Sequence, residues 1–262
     1  MSSTGPQDSP VWPPVPQDRV EPPPPAAPAP APARPSRRPR RVAIFAAGAL
    51  VVAGAGTALA VNGVPRAEQR SLLTHAITAL DVETQSGDVT VRAGARTDTV
   101  EVIRRFRGDE DTQVGGETWQ GNTLKITPDC TTVCDVDYEI RVPSTVAVTV
   151  RTGSGDVELS GRLGEVSLGT VSGDVDANVS TTTLSSETGS GDMDFHLGSA
   201  PDRLTAQSVS GDIDLRVPAG DTYAVTSNTT SGDVDVDVPR QSDATHLIDV
   251  RTASGDISVD AR

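Results

Sequence analysis

The sequence predicts an all-β exported domain. It is a repetitive β-solenoid or β-roll of stacked short strands, preceded by a disordered Pro-rich leader and a single transmembrane helix. Three observations predict this. Ser-Gly-Asp followed by an aliphatic residue or Met occurs seven times, and each copy opens a run with apolar residues at every second position. A 20-residue stretch, 42–61, carries no charge. Aromatic residues are only 3% of the 262 residues, too few for a thick core of ordinary make-up.

The leader comes first. Residues 1–41 hold 14 of the 20 prolines, including the run Pro22 to Pro25 and an alternating Ala-Pro stretch up to Pro35. Proline lacks the backbone donor and fixes φ, which removes both helix and central strand. The segment therefore reads as disordered with polyproline II character. Its bland role is a solvated spacer. Its functional alternative is a ligand for a cytoplasmic partner with an aromatic groove.

Residues 42–61 are long enough, at 1.5 Å per residue, for a helix to span a hydrocarbon core about 30 Å thick. Arg34, Arg37, Arg38, Arg40 and Arg41 crowd its N-terminal side, while Arg66 and Arg70 follow it. The positive-inside rule puts the N-terminus in the cytoplasm and the rest of the chain outside. Ala58-Leu59-Ala60 also has the form of a signal-peptidase site, so cleavage near Ala60 and secretion is the alternative. The long leader and full apolar length favour a retained single-pass anchor. Residues 62–76 read as a linker.

Residues 77–262 read as the β-repeat domain, regular over 145–262. Its first part carries candidate strands at 77–93, 99–106, 123–127, 136–142 and 146–151. In the regular part the motif begins at Ser154, Ser172, Ser190, Ser210, Ser231 and Ser254, with an earlier copy at Ser86. Val175, Ala177 and Val179 alternate with Asp176 and Asn178, and Met193, Phe195 and Leu197 with Asp194 and His196. Such alternation marks a strand with one buried face. A weaker strand precedes each copy, as at 165–171 and 223–227. One such unit cannot bury its face alone, so the units must stack.

The motif has a structural and a chemical reading. Gly87, Gly155, Gly173, Gly191, Gly211, Gly232 and Gly255 would turn the corner between strands, where a positive φ is needed. Ser and Asp side chains would bond backbone amides freed by the bend. Stacking would also align Asp156, Asp174, Asp192, Asp212, Asp233 and Asp256 in a column, with Glu158, Asp176, Asp194, Asp214 and Asp235 in a second. Turns stack about 4.8 Å apart, where like charges repel by roughly 1 kcal/mol per pair even in water. A calcium ladder on the first column would relieve this, but the glycine pattern of calcium-binding nonapeptide repeats is missing. No other cofactor is indicated.

The stretch 136–143 (Val-Asp-Tyr-Glu-Ile-Arg-Val-Pro), the stretch 148–157 and the recurrent Ser-Gly-Asp copies resemble a known family. It is the bacterial β-strand-repeat family of unknown function labelled putative adhesin, here of the actinobacterial type with one membrane anchor. The resemblance implies a repetitive β fold outside the cytoplasm and, for some members, a link to envelope-stress responses. It brings no catalytic residues.

The remaining motifs are few. Cys130 and Cys134 are the only cysteines. Export puts them in an oxidising compartment, so a local disulfide is expected, contributing about 2 kcal/mol. A straight strand would hold their Cα atoms about 13 Å apart, so the segment must turn. Zinc would need two more ligands. Arg107-Gly108-Asp109 lies in a polar stretch, 104–121, that reads as an exposed loop; a three-residue match is weak beside so many Gly and Asp. His75, His196 and His246 are scattered, with no Gly-x-Ser-x-Gly or His-Glu-x-x-His.

Charge narrows the function. Residues 1–41 carry net +3 and residues 62–262 net -17, within a whole-chain charge of -14. An acidic exported domain is no nucleic-acid binder, and anionic polymers are poor direct partners. The reading is a non-catalytic, membrane-anchored envelope protein with an adhesin-like interaction domain. The alternatives are an envelope-stress sensor signalling through the leader and a polysaccharide-active enzyme on a β-helix scaffold.

Overall fold

The alternation that predicts strands also predicts two apolar faces, and the fold is built by closing them on each other. A computed structural model describes residues 66–95, 98–107, 115–129 and 135–262. The chain divides into two units, Met1–Ala58 and Leu59–Arg262, and all described residues belong to the second. The leader and the apolar segment 42–61 lie outside the described residues, as do Cys130 and Cys134. Among the described residues no helix is long and apolar enough to cross a membrane.

The chain enters at β1 (Arg66–Thr74), and β2 (Ala79–Ser86) and β3 (Val89–Ala95) flank the first Ser-Gly-Asp. Four strands without the motif follow: β4 (Thr99–Arg107), β5 (Gly115–Gln120), β6 (Thr123–Asp129) and β7 (Val136–Pro143). Each later copy then joins one strand to the next. The first three copies join β8 (Ala147–Ser154) to β9 (Val157–Arg162), β10 (Val166–Ser172) to β11 (Val175–Ser180), and β12 (Thr183–Ser190) to β13 (Met193–Leu197). The last three join β14 (Arg203–Ser210) to β15 (Ile213–Val217), β16 (Tyr223–Ser231) to β17 (Val234–Asp237), and β18 (His246–Ser254) to β19 (Ile257–Ala261).

The strands before the motif form one sheet, ordered β16-β18-β14-β12-β10-β8-β2-β6-β5. Those after it form the other, ordered β1-β4-β7-β3-β9-β11-β13-β15-β19-β17. Pairing of like strands is parallel and in register, so Val157, Val175, Met193 and Ile213 line one row. The rows of the two sheets meet in a thin aliphatic core: Leu159, Ala177, Phe195 and Leu215 on one side and Val150, Leu184, Leu204 and Val250 on the other are all fully buried. Each large side chain so buried contributes about 1.5–3 kcal/mol.

Three details differ from the sequence-based expectation. First, 66–74, expected to be linker, is strand β1, antiparallel to β4 along its whole length. Its inward residues Ala67, Gln69, Ser71 and Leu73 are mostly small or polar, so the alternation is faint. Second, the polar stretch 104–121 is largely strand, the end of β4 and all of β5; only 108–114 lies outside the described residues. Third, the last two coils stack in reverse chain order. β18–β19 pairs with β14–β15, and β16–β17 lies beyond it. The connection 218–222 between β15 and β16 carries the chain out past one level, and the loop 238–245 between β17 and β18 brings it back.

At the β1 end the outermost strands run antiparallel. β4 pairs with β1 and β7, and β5 with β6. Arg104 of β4 points inward and forms an ion pair with Glu117 of β5, bridging the two sheets. Burial pushes the Arg104 guanidinium below its ordinary range.

Candidate interaction surface

The surface is best built from the Ser-Gly-Asp corner outward. Gly155, Gly173, Gly191, Gly211, Gly255 and Gly232 have φ between 133° and 150°. They also stack without room for a side chain. A β-carbon on Gly173 would overlap the carbonyl oxygen of Gly155, and one on Gly191 that of Gly173. The first copy joins the stack, because Gly155 lies equally close to the Gly87 carbonyl.

The aspartates form a chain of side-chain-to-backbone hydrogen bonds along the stack. The amide of Asp88 donates to Asp137 Oδ1 at 3.0 Å, and that of Asp156 to Asp88 Oδ1 at 2.9 Å. Asp174, Asp192 and Asp212 each donate to the preceding carboxylate at 2.9 Å. Asp256 then donates to Asp212 at 2.7 Å and Asp233 to Asp256 at 2.8 Å. The expected column of Asp156, Asp174, Asp192, Asp212, Asp233 and Asp256 is therefore present, with the last two members exchanged. Asp88 and Asp137 extend it. Among the described residues no three His, Cys, Asp or Glu side chains are grouped to hold a metal ion.

The second acidic column also forms. Glu158, Asp176, Asp194 and Asp214 are register partners in successive strands, and Ser258 separates them from Asp235. Burial, then the charge of Asp194, pushes the Asp214 carboxyl above its ordinary range, with Arg216 opposing. Arg216 donates to Asp194 at 3.2 Å and also contacts His196 Nε2.

A row the motif search missed lies inside the corner. Thr84, Thr152, Thr170, Thr188, Ser208 and Thr252, each two residues before the motif's Ser, are buried in one file. Thr84 and Thr152 donate to the carbonyls of Ser86 and Ser154 at 2.9 and 3.2 Å. The extended pattern Thr-x-Ser-Gly-Asp was visible in the sequence.

The other candidates do not converge. His75 packs at a tilt against Trp119 with ring centroids 4.2 Å apart, and His246 Nδ1 lies 2.8 Å from the Pro201 carbonyl. Each histidine has a separate, local set of neighbours. Of Arg107-Gly108-Asp109, only Arg107 falls on a described strand. A cleft of about 560 Å³ beside the first corner is lined by Asp88, Asp135, Asp137 and Arg105, and two of its acids already belong to the hydrogen-bond chain. What the geometry offers is two long, regular outer faces and the stack's end.

The family model described as Toastrack DUF4097 matches residues 71–260. No curated protein matches the chain. Among solved structures, a putative cell adhesion protein from Clostridium sporogenes superposes with a TM-score of 0.48 at 10% identity, covering 76% of this chain and 100% of that one. A putative adhesin from Bacteroides fragilis gives 0.47 at 13% identity, covering 75% and 98%. A putative lipid binding protein from Parabacteroides distasonis gives 0.35 at 10% identity, covering 75% and 97%.

Proposed function

Since the chain belongs to the Toastrack DUF4097 family, we propose that it is a single-pass membrane protein displaying its β-repeat domain outside the cytoplasm as a non-catalytic, adhesin-like interaction module. The observation that carries this is how the repeat is used. Its Gly, Asp and Thr residues are spent on the stack itself, and what the stack presents outward is extended, regular and acidic. Such a surface suits recognition of a macromolecule. The Arg-flanked apolar segment 42–61 supplies the anchor in this reading. The Pro-rich leader serves as a cytoplasmic spacer.

The test has two arms. Protease added to intact cells should remove the domain and leave a membrane-embedded stub carrying the leader. Cells expressing the chain should bind host or neighbouring-cell surfaces better than cells lacking it, and deletion of residues 1–35 should leave that binding intact. A domain protected from protease would overturn the topology. Binding abolished by loss of the leader would favour the signalling alternative.

A further inference from the structure

The two ends of the stack are finished differently. At the β1 end the outermost strands, β1 and β5, run antiparallel to their neighbours, and the Arg104–Glu117 pair spans the two sheets there. At the other end, β16 and β17 are the last strands of their sheets. There, among the described residues, Tyr223 alone is bonded further out: its amide donates to the Pro239 carbonyl at 2.9 Å, and its carbonyl accepts from the Gln241 amide at 3.0 Å. Past Tyr223, the outer edges of β16 and β17 pair with no strand among the described residues.

The core is correspondingly open. Val234 is 44% exposed, whereas its row partners Val157, Val175, Met193, Ile213 and Ile257 are at most 2% exposed. Val225 and Val236 are half-buried, while Ile248 and Val259 in the same rows are buried. The hydrogen-bond chain also stops here. Each inner corner aspartate accepts the next coil's amide, but no described residue donates to the Asp233 carboxylate. Neither strand carries a Lys or Pro; the only charges on this edge are the acids Asp235 and Asp237 of the four-residue β17, which would repel an acidic strand and attract a basic one.

We infer that this end is a strand-addition site for an extended, proline-free, Lys- or Arg-bearing segment of another protein. The inference rests on the interaction-module reading and names its docking surface. A strand added beside β17 would take up its edge amides and carbonyls, and its apolar positions would roof Val234 and Val236. One of its amides would continue the chain at Asp233. Its outward side chains beside β17 would lie about 5 Å from Asp235 and Asp237, where like charges destabilise a pair and opposite charges stabilise it. That favours a basic strand. It disfavours a second copy meeting this one end to end, since Asp233, Asp235 and Asp237 would face their own counterparts.

The experiment uses the full chain in detergent micelles and a short fluorescent peptide alternating Lys and Val. Controls alternate Glu and Val, or carry a central Pro. The Lys/Val peptide should bind once per chain and slow amide exchange in β17. Replacing Asp235→Lys with Asp237→Lys should weaken it about tenfold and admit the Glu/Val peptide. Equal binding of all three peptides, protection elsewhere, or indifference to the charge reversal would overturn the site. Concentration-dependent self-association protecting β16 and β17 would assign the end to a second copy and overturn the choice of partner. If cells bearing the charge-reversed chain still adhere, the edge site falls while the interaction-module reading stands.

Discussion

Gly191 has a φ of 144°, and the Gly173 carbonyl lies where its β-carbon would be. Gly94 has a φ of 128° with nothing within 4 Å of that position. The pair separates two reasons for glycine that the sequence alone cannot distinguish. Gly94→Ala should cost about 1–3 kcal/mol from backbone strain only. Gly191→Ala should cost about 3 kcal/mol or more, because the stack must also open. Urea denaturation of both variants checks this, and equal costs would mean that the close approach is of no consequence. Asp174 allows a second separation. Asp174→Asn keeps an acceptor for the Asp192 amide and removes a charge from the column, so stability should hold or rise at low salt. Asp174→Ala should lose about 1 kcal/mol. A calcium ladder predicts otherwise: Asn would be as damaging as Ala, and a chelator would lower Tm.

At the scale of the element, the two faces of each strand obey different demands. Outward positions tolerate acids because water screens them. Inward positions must be apolar or hydrogen-bonded. The threonine file sits on that boundary. Thr152 satisfies its hydroxyl within its own corner, whereas the buried hydroxyls of Thr170, Thr188 and Ser208 find no partner among the described residues. Thr188→Val should therefore stabilise the domain by about 1 kcal/mol, and Thr152→Val should be neutral or destabilising. Thermal unfolding of the two variants compares them directly. The same demand explains what alternation could and could not reveal. Val175-Asp176-Ala177-Asn178-Val179 announces a strand because large apolar residues occupy one face. Thr99–Arg107 turns the buried, charged Arg104 inward, and β1 turns in Gln69 and Ser71. Their sidedness is set by partners across the core and is faint in the sequence.

At the scale of the whole domain, the consequential feature is the order of the coils. Every repeat has a corner of the same chemistry and strands that fit the same register. Nothing local therefore tells β18–β19 to dock on β14–β15, or β16–β17 to wait outside. The observed order predicts an inversion in dynamics. β18–β19 follows β16–β17 in the chain, yet it is held on both sides, whereas β16–β17 is held on one. Native-state hydrogen exchange should find β16–β17 opening more readily than β18–β19. Faster exchange in β18–β19 would mean that the coils stack in chain order.

The sequence by itself determined the local grammar of this protein: strands of period two, a glycine corner after each motif Ser, acids outward, aliphatics inward. These are properties of single residues and their near neighbours, and they survive in any arrangement that stacks the units. Only the tertiary structure decided which unit touches which. The reversal of the last two coils, the antiparallel strands at one end, the aspartate chain running through Asp88 to Asp137, and the open edge at Asp233 all depend on contacts between residues far apart in the chain. Near-identical units offer near-equal docking energies to one another. The choice among them falls to loop lengths and to the few side chains, such as Arg104 and Glu117, that break the repeat.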